Sequence, residues 1–97
     1  MNYWKQSNKN IYVAAHRGWK DKYPENTIKA FAGALEIGVD QIETDVRFTK
    51  DKELVLIHDA TLERTTNGVG CVSDYTLEEL KKLDAGDGEK IPTLNEL

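Results

Sequence analysis

The chain has 97 residues, enough for one small domain and too few for a complete (β/α)8 barrel, which needs about 250. Its 17 acidic and 13 basic residues give a formal charge of −4, which excludes the basic surface usual in nucleic-acid-binding domains. Hydrophobic residues make up 39%, enough for a core; the single cysteine, Cys71, excludes an internal disulfide, and no apolar run is long enough to span a membrane.

Residues 1–10 are a polar lead-in without the apolar stretch of a signal peptide, so a soluble, cytoplasmic protein is the expectation. Residues 11–15, Ile-Tyr-Val-Ala-Ala, form a short apolar run ending at His16-Arg17-Gly18. Such a run predicts a strand buried on both faces, as in a parallel sheet, with Gly18 allowing a sharp exit. After Pro24-Glu25-Asn26-Thr27, the apolar residues Ile28, Phe31, Ala32 and Leu35 follow helical spacing, and Gly38 is placed to stop a helix. The spacing predicts a helix over about 27–37, capped by Asn26 or Thr27.

Residues 42–49 alternate, with Ile42, Thr44, Val46 and Phe48 on one face and Gln41, Glu43, Asp45 and Arg47 on the other. Strand, helix and strand over this length predict a βαβ unit with parallel strands and a right-handed crossover. Leu54-Val55-Leu56-Ile57-His58 follows too closely for another crossover, so a hairpin is expected. A two-residue turn at Asp51-Lys52 would set His58 directly across from Asp45. Residues 59–74 are turn-rich and read as a long loop holding Cys71. Thr76-Leu77-Glu78-Glu79 is a capping box opening a helix over 77–84, and Thr93-Leu94-Asn95-Glu96 is a second one, which the chain leaves without a helix behind it. No internal repeat is visible.

Polar clusters fall at the ends of these strands, where α/β sheets gather their sites. Glu43 and Asp45, two apart on a strand, would repel unless a cation joined them, and oxygen-only ligands favour Mg²⁺ or Ca²⁺. A solvated charged face paired with Arg47 is the plainer alternative. His16 and His58, the only histidines, suit general acid and base flanking a substrate; strand-end histidines bound to carbonyls are the alternative. Arg17 suits a forked phosphate contact or a surface ion pair. Glu25 and Asn26 could equally be helix-start chemistry.

Taken in order, His16-Arg17-Gly18, Pro24-Glu25-Asn26-Thr27, Glu43-Thr44-Asp45-Val46, His58-Asp59 and Arg64-Thr65-Thr66-Asn67-Gly68 resemble the glycerophosphodiester phosphodiesterase family. The resemblance runs from about Val13 to Leu97. It implies an α/β fold, the N-terminal portion of a (β/α)8 barrel that is incomplete in this chain. On that basis residues 11–97 are a partial phosphodiesterase domain, with 59–75 the insertion loop above the barrel mouth. It implies metal-dependent hydrolysis of glycerophosphodiesters to sn-glycerol 3-phosphate and an alcohol. The positions matching His16 and His58 are then acid and base, Glu43 and Asp45 bind the divalent cation, Arg17 contacts phosphate, and Glu25 lies in the pocket.

Two departures stand out. The family usually has glycine where Lys52 stands, and its third metal-binding carboxylate lies on a strand beyond Leu97. The isolated chain is therefore expected to lack turnover. A non-catalytic remnant that binds phosphate or self-associates through open sheet edges is one alternative. A phospholipase D of the sphingomyelinase type is another, against which the lack of a cysteine pair counts.

Overall fold

The computed structural model describes residues 14–97. The polar lead-in, 1–10, and residues 11–13 of the first predicted strand lie outside the described residues. The order is β1 (Ala14–His16), α1 (Ile28–Glu36), β2 (Gln41–Glu43), β3 (Val46–Phe48), β4 (Leu54–Leu56) and α2 (Leu77–Leu80), with 3-10 turns at Val72–Asp74 and Leu94–Glu96. β1 and β2 pair in parallel, Ala15 opposite Ile42 and His16 opposite Glu43, as the βαβ pattern predicts. β3 and β4 form a separate antiparallel pair. Among the described residues no helix is long and apolar enough to cross a membrane.

α1 forms over the expected span, but the face it buries is Ala30, Phe31, Gly33 and Ala34; of the expected stripe only Phe31 is buried, and Ile28, Ala32 and Leu35 are exposed. Thr27 caps it: its hydroxyl oxygen accepts from the Ala30 N–H at 3.2 Å and donates to the Pro24 carbonyl at 2.7 Å. Gly18 is held between strand and helix. Its φ is +79°, and a Cβ there would stand 2.8 Å from the Ala30 backbone, so glycine alone fits.

The strands depart from expectation in three ways. β1 is covered on one face only: Ala15 is buried while Ala14 and His16 are exposed. The strand over 42–49 is broken at Thr44-Asp45, and its apolar side chains Val46 and Phe48 are exposed, 47% and 56%. The described residues supply no layer to cover that face. The hairpin register is also one residue off, because Val46 pairs with Leu56 and the Ile57 N–H donates to the Asp45 carbonyl at 3.1 Å. Ile57, not His58, therefore lies across from Asp45.

The cause of the shift is Lys52. Its N–H donates to the Thr49 carbonyl at 3.0 Å, Lys52 sits at φ +66°, and the Thr49 N–H then meets the Glu53 carbonyl at 2.9 Å. That is a three-residue loop, a tight turn followed by one left-handed residue, in place of a two-residue turn. Thr49, nearly fully buried, closes it by accepting from the Glu53 N–H at 3.0 Å.

The second half has its own core of Val55, Ile57, Leu62, Val72, Leu80, Ala85 and Ile91, flanked by Tyr75, Leu77 and Leu83. Residues 59–74 are thus a packed part of the fold. Thr61 bridges Cys71, and the Leu62 and Val72 N–H groups donate to the Gly70 and Ala60 carbonyls at 2.9 Å each. Leu62 and Val72 point inward from that small ladder, each side chain contributing roughly 1.5–3 kcal/mol of burial. α2 is shorter than the predicted 77–84, ending in turns after Leu80, though its Thr76–Glu79 capping box is present. The Thr93–Glu96 box forms too, with the Thr93 N–H donating to Glu96 at 2.7 Å. Next to it, Thr93 bridges Val55 and the Leu56 N–H reaches the Pro92 carbonyl at 2.9 Å, tying the last residues to β4.

Candidate active site

The end of β1, the start of α1 and the break between β2 and β3 converge. Arg17 and Asn26 both adopt left-handed backbone, φ +60° and +56°, and the Asn26 N–H donates to the Arg17 carbonyl at 2.9 Å. Left-handed geometry costs non-glycine residues roughly 1–2 kcal/mol, less for Asn, and such strain gathers at sites. Here it aims both side chains at the β2–β3 break. Asn26 is buried, its amide N–H donating to Asp45 Oδ2 at 3.3 Å and its carbonyl accepting from the Thr44 hydroxyl at 2.9 Å. Both ends of the amide are used, so Asn26 fixes the two residues that interrupt the strand.

Arg17 lies between two carboxylates, with Nε 3.3 Å from Asp45 Oδ2 and Nη1 3.5 Å from Glu25 Oε2. Its Nε is buried yet makes no well-directed hydrogen bond. Glu43 Oε1 is in the same condition, with His16 Nε2 3.3 Å away. His16 is half-exposed, and its other nitrogen lies 3.4 Å from Lys20 Nζ. A donor on Arg17 and an acceptor on Glu43 are thus both buried and under-used, which suits an anion and a cation respectively.

On the far side, Arg64 spreads one guanidinium over two carboxylates. Nε and Nη2 donate to Asp59 at 2.8 and 3.0 Å, and Nη1 and Nη2 donate to Glu25 at 3.0 and 2.9 Å. Asp59 in turn meets His58 Nδ1 at 2.8 Å. These forked bonds, those of Arg64 foremost, hold the Glu25 carboxyl below its usual range and that of Asp59 well below, and they raise Arg64 further. Glu25, Asn26 and His58 line one crevice with Thr65, Thr66 and Ile91.

The six residues singled out from the sequence therefore fall into two adjoining groups. Arg17, Glu25 and Asp45 join His58 through Arg64 and Asp59; His16 and Glu43 form a pair one residue away along β1. The expected His58–Asp45 pairing is absent, since the register turns His58 toward Asp59. Asn26, Asp59 and Arg64 were not singled out as site residues. Each stood beside a candidate or in the Arg64-Thr65-Thr66 run, but the contacts of Arg64 with Glu25 span 39 residues and leave no local signal.

Residues 16–97 match the model of the glycerophosphoryl diester phosphodiesterase family. The chain belongs to that family. A glycerophosphodiester phosphodiesterase of Caldanaerobacter subterraneus subsp. tengcongensis is 59% identical over 92 residues, covering 88% of this chain and 38% of that enzyme. The crystal structure of a glycerophosphodiester phosphodiesterase from Agrobacterium tumefaciens superposes with a TM-score of 0.85 at 42% identity, covering 89% of this chain and 40% of that one. An Oleispira antarctica phosphodiesterase, solved with the product sn-glycerol-3-phosphate, superposes with a TM-score of 0.84 at 41% identity, covering 87% and 37%. The fold is thus an incomplete portion of the phosphodiesterase barrel, and the chain spans about two-fifths of the relatives it matches.

A divalent cation fits what this family member offers only in part. Glu43 Oε1 is a buried oxygen lacking a hydrogen bond, a donor of the kind a hard ion takes, whereas Asp45 Oδ2 already meets Asn26 and Arg17. Among the described residues no group of three or more ligating side chains forms.

Proposed function

We propose that this chain carries the acid–base and phosphate-facing part of a glycerophosphodiester phosphodiesterase that releases sn-glycerol 3-phosphate and an alcohol in the cytoplasm. The observation that carries the reading is Arg17, half-buried between Glu25 and Asp45 with its Nε buried and lacking a directed bond, in a family with a relative solved holding the product. A phosphodiester is anionic and resists attack, so charge on its phosphoryl oxygens must be neutralised. Arg17 is placed to do this by donating to a non-bridging oxygen. Glu43 and Asp45 would hold Mg²⁺ or Ca²⁺, which when bound adds Lewis-acid neutralisation of the same charge. His16 and His58 would supply the proton transfers: one takes the proton of the attacking water or neighbouring glycerol hydroxyl, the other protonates the leaving alkoxide. With Asp59 on Nδ1, His58 keeps Nε2 for this work. Asn26 holds Asp45 in place, and Glu25 orients Arg17.

The test is a chimera in which these 97 residues replace the matching segment of the Caldanaerobacter enzyme. It should hydrolyse glycerophosphocholine with Mg²⁺ or Ca²⁺ and lose that activity in His16→Ala, His58→Ala and Glu43→Ala. A folded chimera without hydrolysis overturns the reading. The isolated chain should show no turnover, because among the described residues no group of three ligating side chains forms and the sheets are two separate pairs of strands. Turnover that Glu43→Ala abolishes would overturn that part. The second reading, a remnant that self-associates, draws on the exposed Val46 and Phe48; sedimentation as a monomer across concentration would refute it.

A further inference from the structure

We propose that Arg64 is a positioning residue for His58: anchored on Glu25 across the crevice, it fixes Asp59 against Nδ1 and so selects which imidazole nitrogen faces the substrate. The proposal rests on the reading of His58 as an acid–base group. Four observations carry it.

The guanidinium makes four hydrogen bonds at 2.8–3.0 Å, a fork to each of two carboxylates, and so uses four of its five N–H groups. That leaves little of it for substrate. Asp59 Oδ1 accepts from Arg64 Nη2 at 3.0 Å and meets His58 Nδ1 at 2.8 Å, so one oxygen carries both contacts. The two carboxylates come from different parts of the fold: Glu25 opens α1, whereas Asp59 follows β4. Finally, Glu25 is itself in contact with Arg17, so the guanidinium fixes His58 by reference to the same carboxylate that orients the phosphate-facing arginine. Surface ion pairs are usually worth little, but a double fork has a geometry that a single contact lacks. The lowered Asp59 and Glu25 carboxyls agree with this coupling.

An imidazole whose Nδ1–H points at a carboxylate is held in one tautomer, and its Nε2 lone pair is the free one. Arg47 also meets this residue, its Nε donating to the His58 carbonyl at 2.9 Å, and so touches backbone, not ring. Arg64 would then act on His58 only through Asp59.

The experiment is ¹⁵N NMR of the His58 ring in the 97-residue chain at about pH 8.5, where an ordinary imidazole is neutral. Wild type should hold mainly the Nδ1–H tautomer. Asp59→Asn and Arg64→Ala should each shift the population toward Nε2–H, and the double variant should shift no further than Asp59→Asn alone. Arg64→Lys, which keeps the charge without the fork, should fall between wild type and Arg64→Ala. The methyl resonances of Leu62 and Val72 report whether each variant is folded. A folded Arg64→Ala chain with the wild-type tautomer overturns the proposal, as do shifts from Arg64→Ala and Asp59→Asn that add. Should Arg64→Ala not fold, an unchanged tautomer in Arg64→Lys overturns it. The measurement needs no turnover. A folded chimera that fails to hydrolyse substrate therefore refutes the proposed activity alone, and an unmoved tautomer refutes the positioning role alone.

Discussion

Replacing Lys52 by glycine should stabilise the chain. Lys52 holds φ +66° because the three-residue hairpin loop needs one left-handed residue before Glu53. A side chain in that conformation costs roughly 1–2 kcal/mol. Lys52 is exposed, so truncation gives up little packing. Glycine removes the strain but has more unfolded freedom to lose, about 0.5–1 kcal/mol. The net gain is about 0.5–1 kcal/mol, a rise of roughly 3–6 °C in Tm for a domain this small. Lys52→Ala keeps the Cβ and hence the strain, and should match wild type within about 0.5 kcal/mol. Urea and thermal unfolding of the three chains give the comparison. If Lys52→Gly proves no more stable than Lys52→Ala, the left-handed loop, and with it the register that turns His58 toward Asp59, is wrong.

Two more predictions concern the second half of the chain. Leu62→Ala empties a fully buried position in residues 59–74 and should cost about 2–5 kcal/mol, read as a lower urea midpoint at constant slope. A loss under about 0.5 kcal/mol would mean that this segment is not part of the core. Acid should also destabilise the fold. Glu25 and Asp59 have folded-state carboxyls held below their ordinary values, so their contribution is complete above the ordinary range and disappears as the pH falls through the depressed values. The urea midpoint should therefore drop from about pH 4 downward, and Arg64→Gln should flatten that dependence. Equal acid sensitivity in both chains would refute the assignment.

What the residues announced in advance was whatever depends on near neighbours. Thr27, the helical spacing from Ile28 to Leu35 and Gly38 mark the span of α1 because a helix is written in spacing and caps, although of that spaced set only Phe31 is buried. The run to His16 and the alternation through Glu43 mark the parallel pair for the same reason. The hairpin was legible but its register was not, because glycine announces a left-handed position and Lys52 disguises it. The packing of residues 59–74 was hidden by their lack of period: Leu62 and Val72 meet through a short ladder, not through a helix or strand repeat. Val46 and Phe48 show the reverse failure, since their pattern specifies a covered face and the described residues leave it open. At the site, residue types and order identified His16, Arg17, Glu25, Glu43, Asp45 and His58 as candidates. The guanidinium that ties Glu25 to Asp59 depends on a contact between distant segments that no spacing rule reaches.

The left-handed backbone at Arg17 has a bearing on how the site should be dissected. Alanine is the customary probe of a side chain, yet alanine at φ +60° retains the steric penalty while removing the guanidinium. The loop that begins there returns to it through the Asn26 N–H, so any relaxation of Arg17 moves Asn26 and its hold on Asp45. An alanine variant alone would thus report a blend of lost charge and displaced backbone. Glycine accepts the conformation without the steric penalty, at about 0.5–1 kcal/mol of added unfolded freedom. At this position the smaller residue is the cleaner instrument, and the difference between the two variants measures what the bent main chain itself contributes to the alignment of the carboxylates.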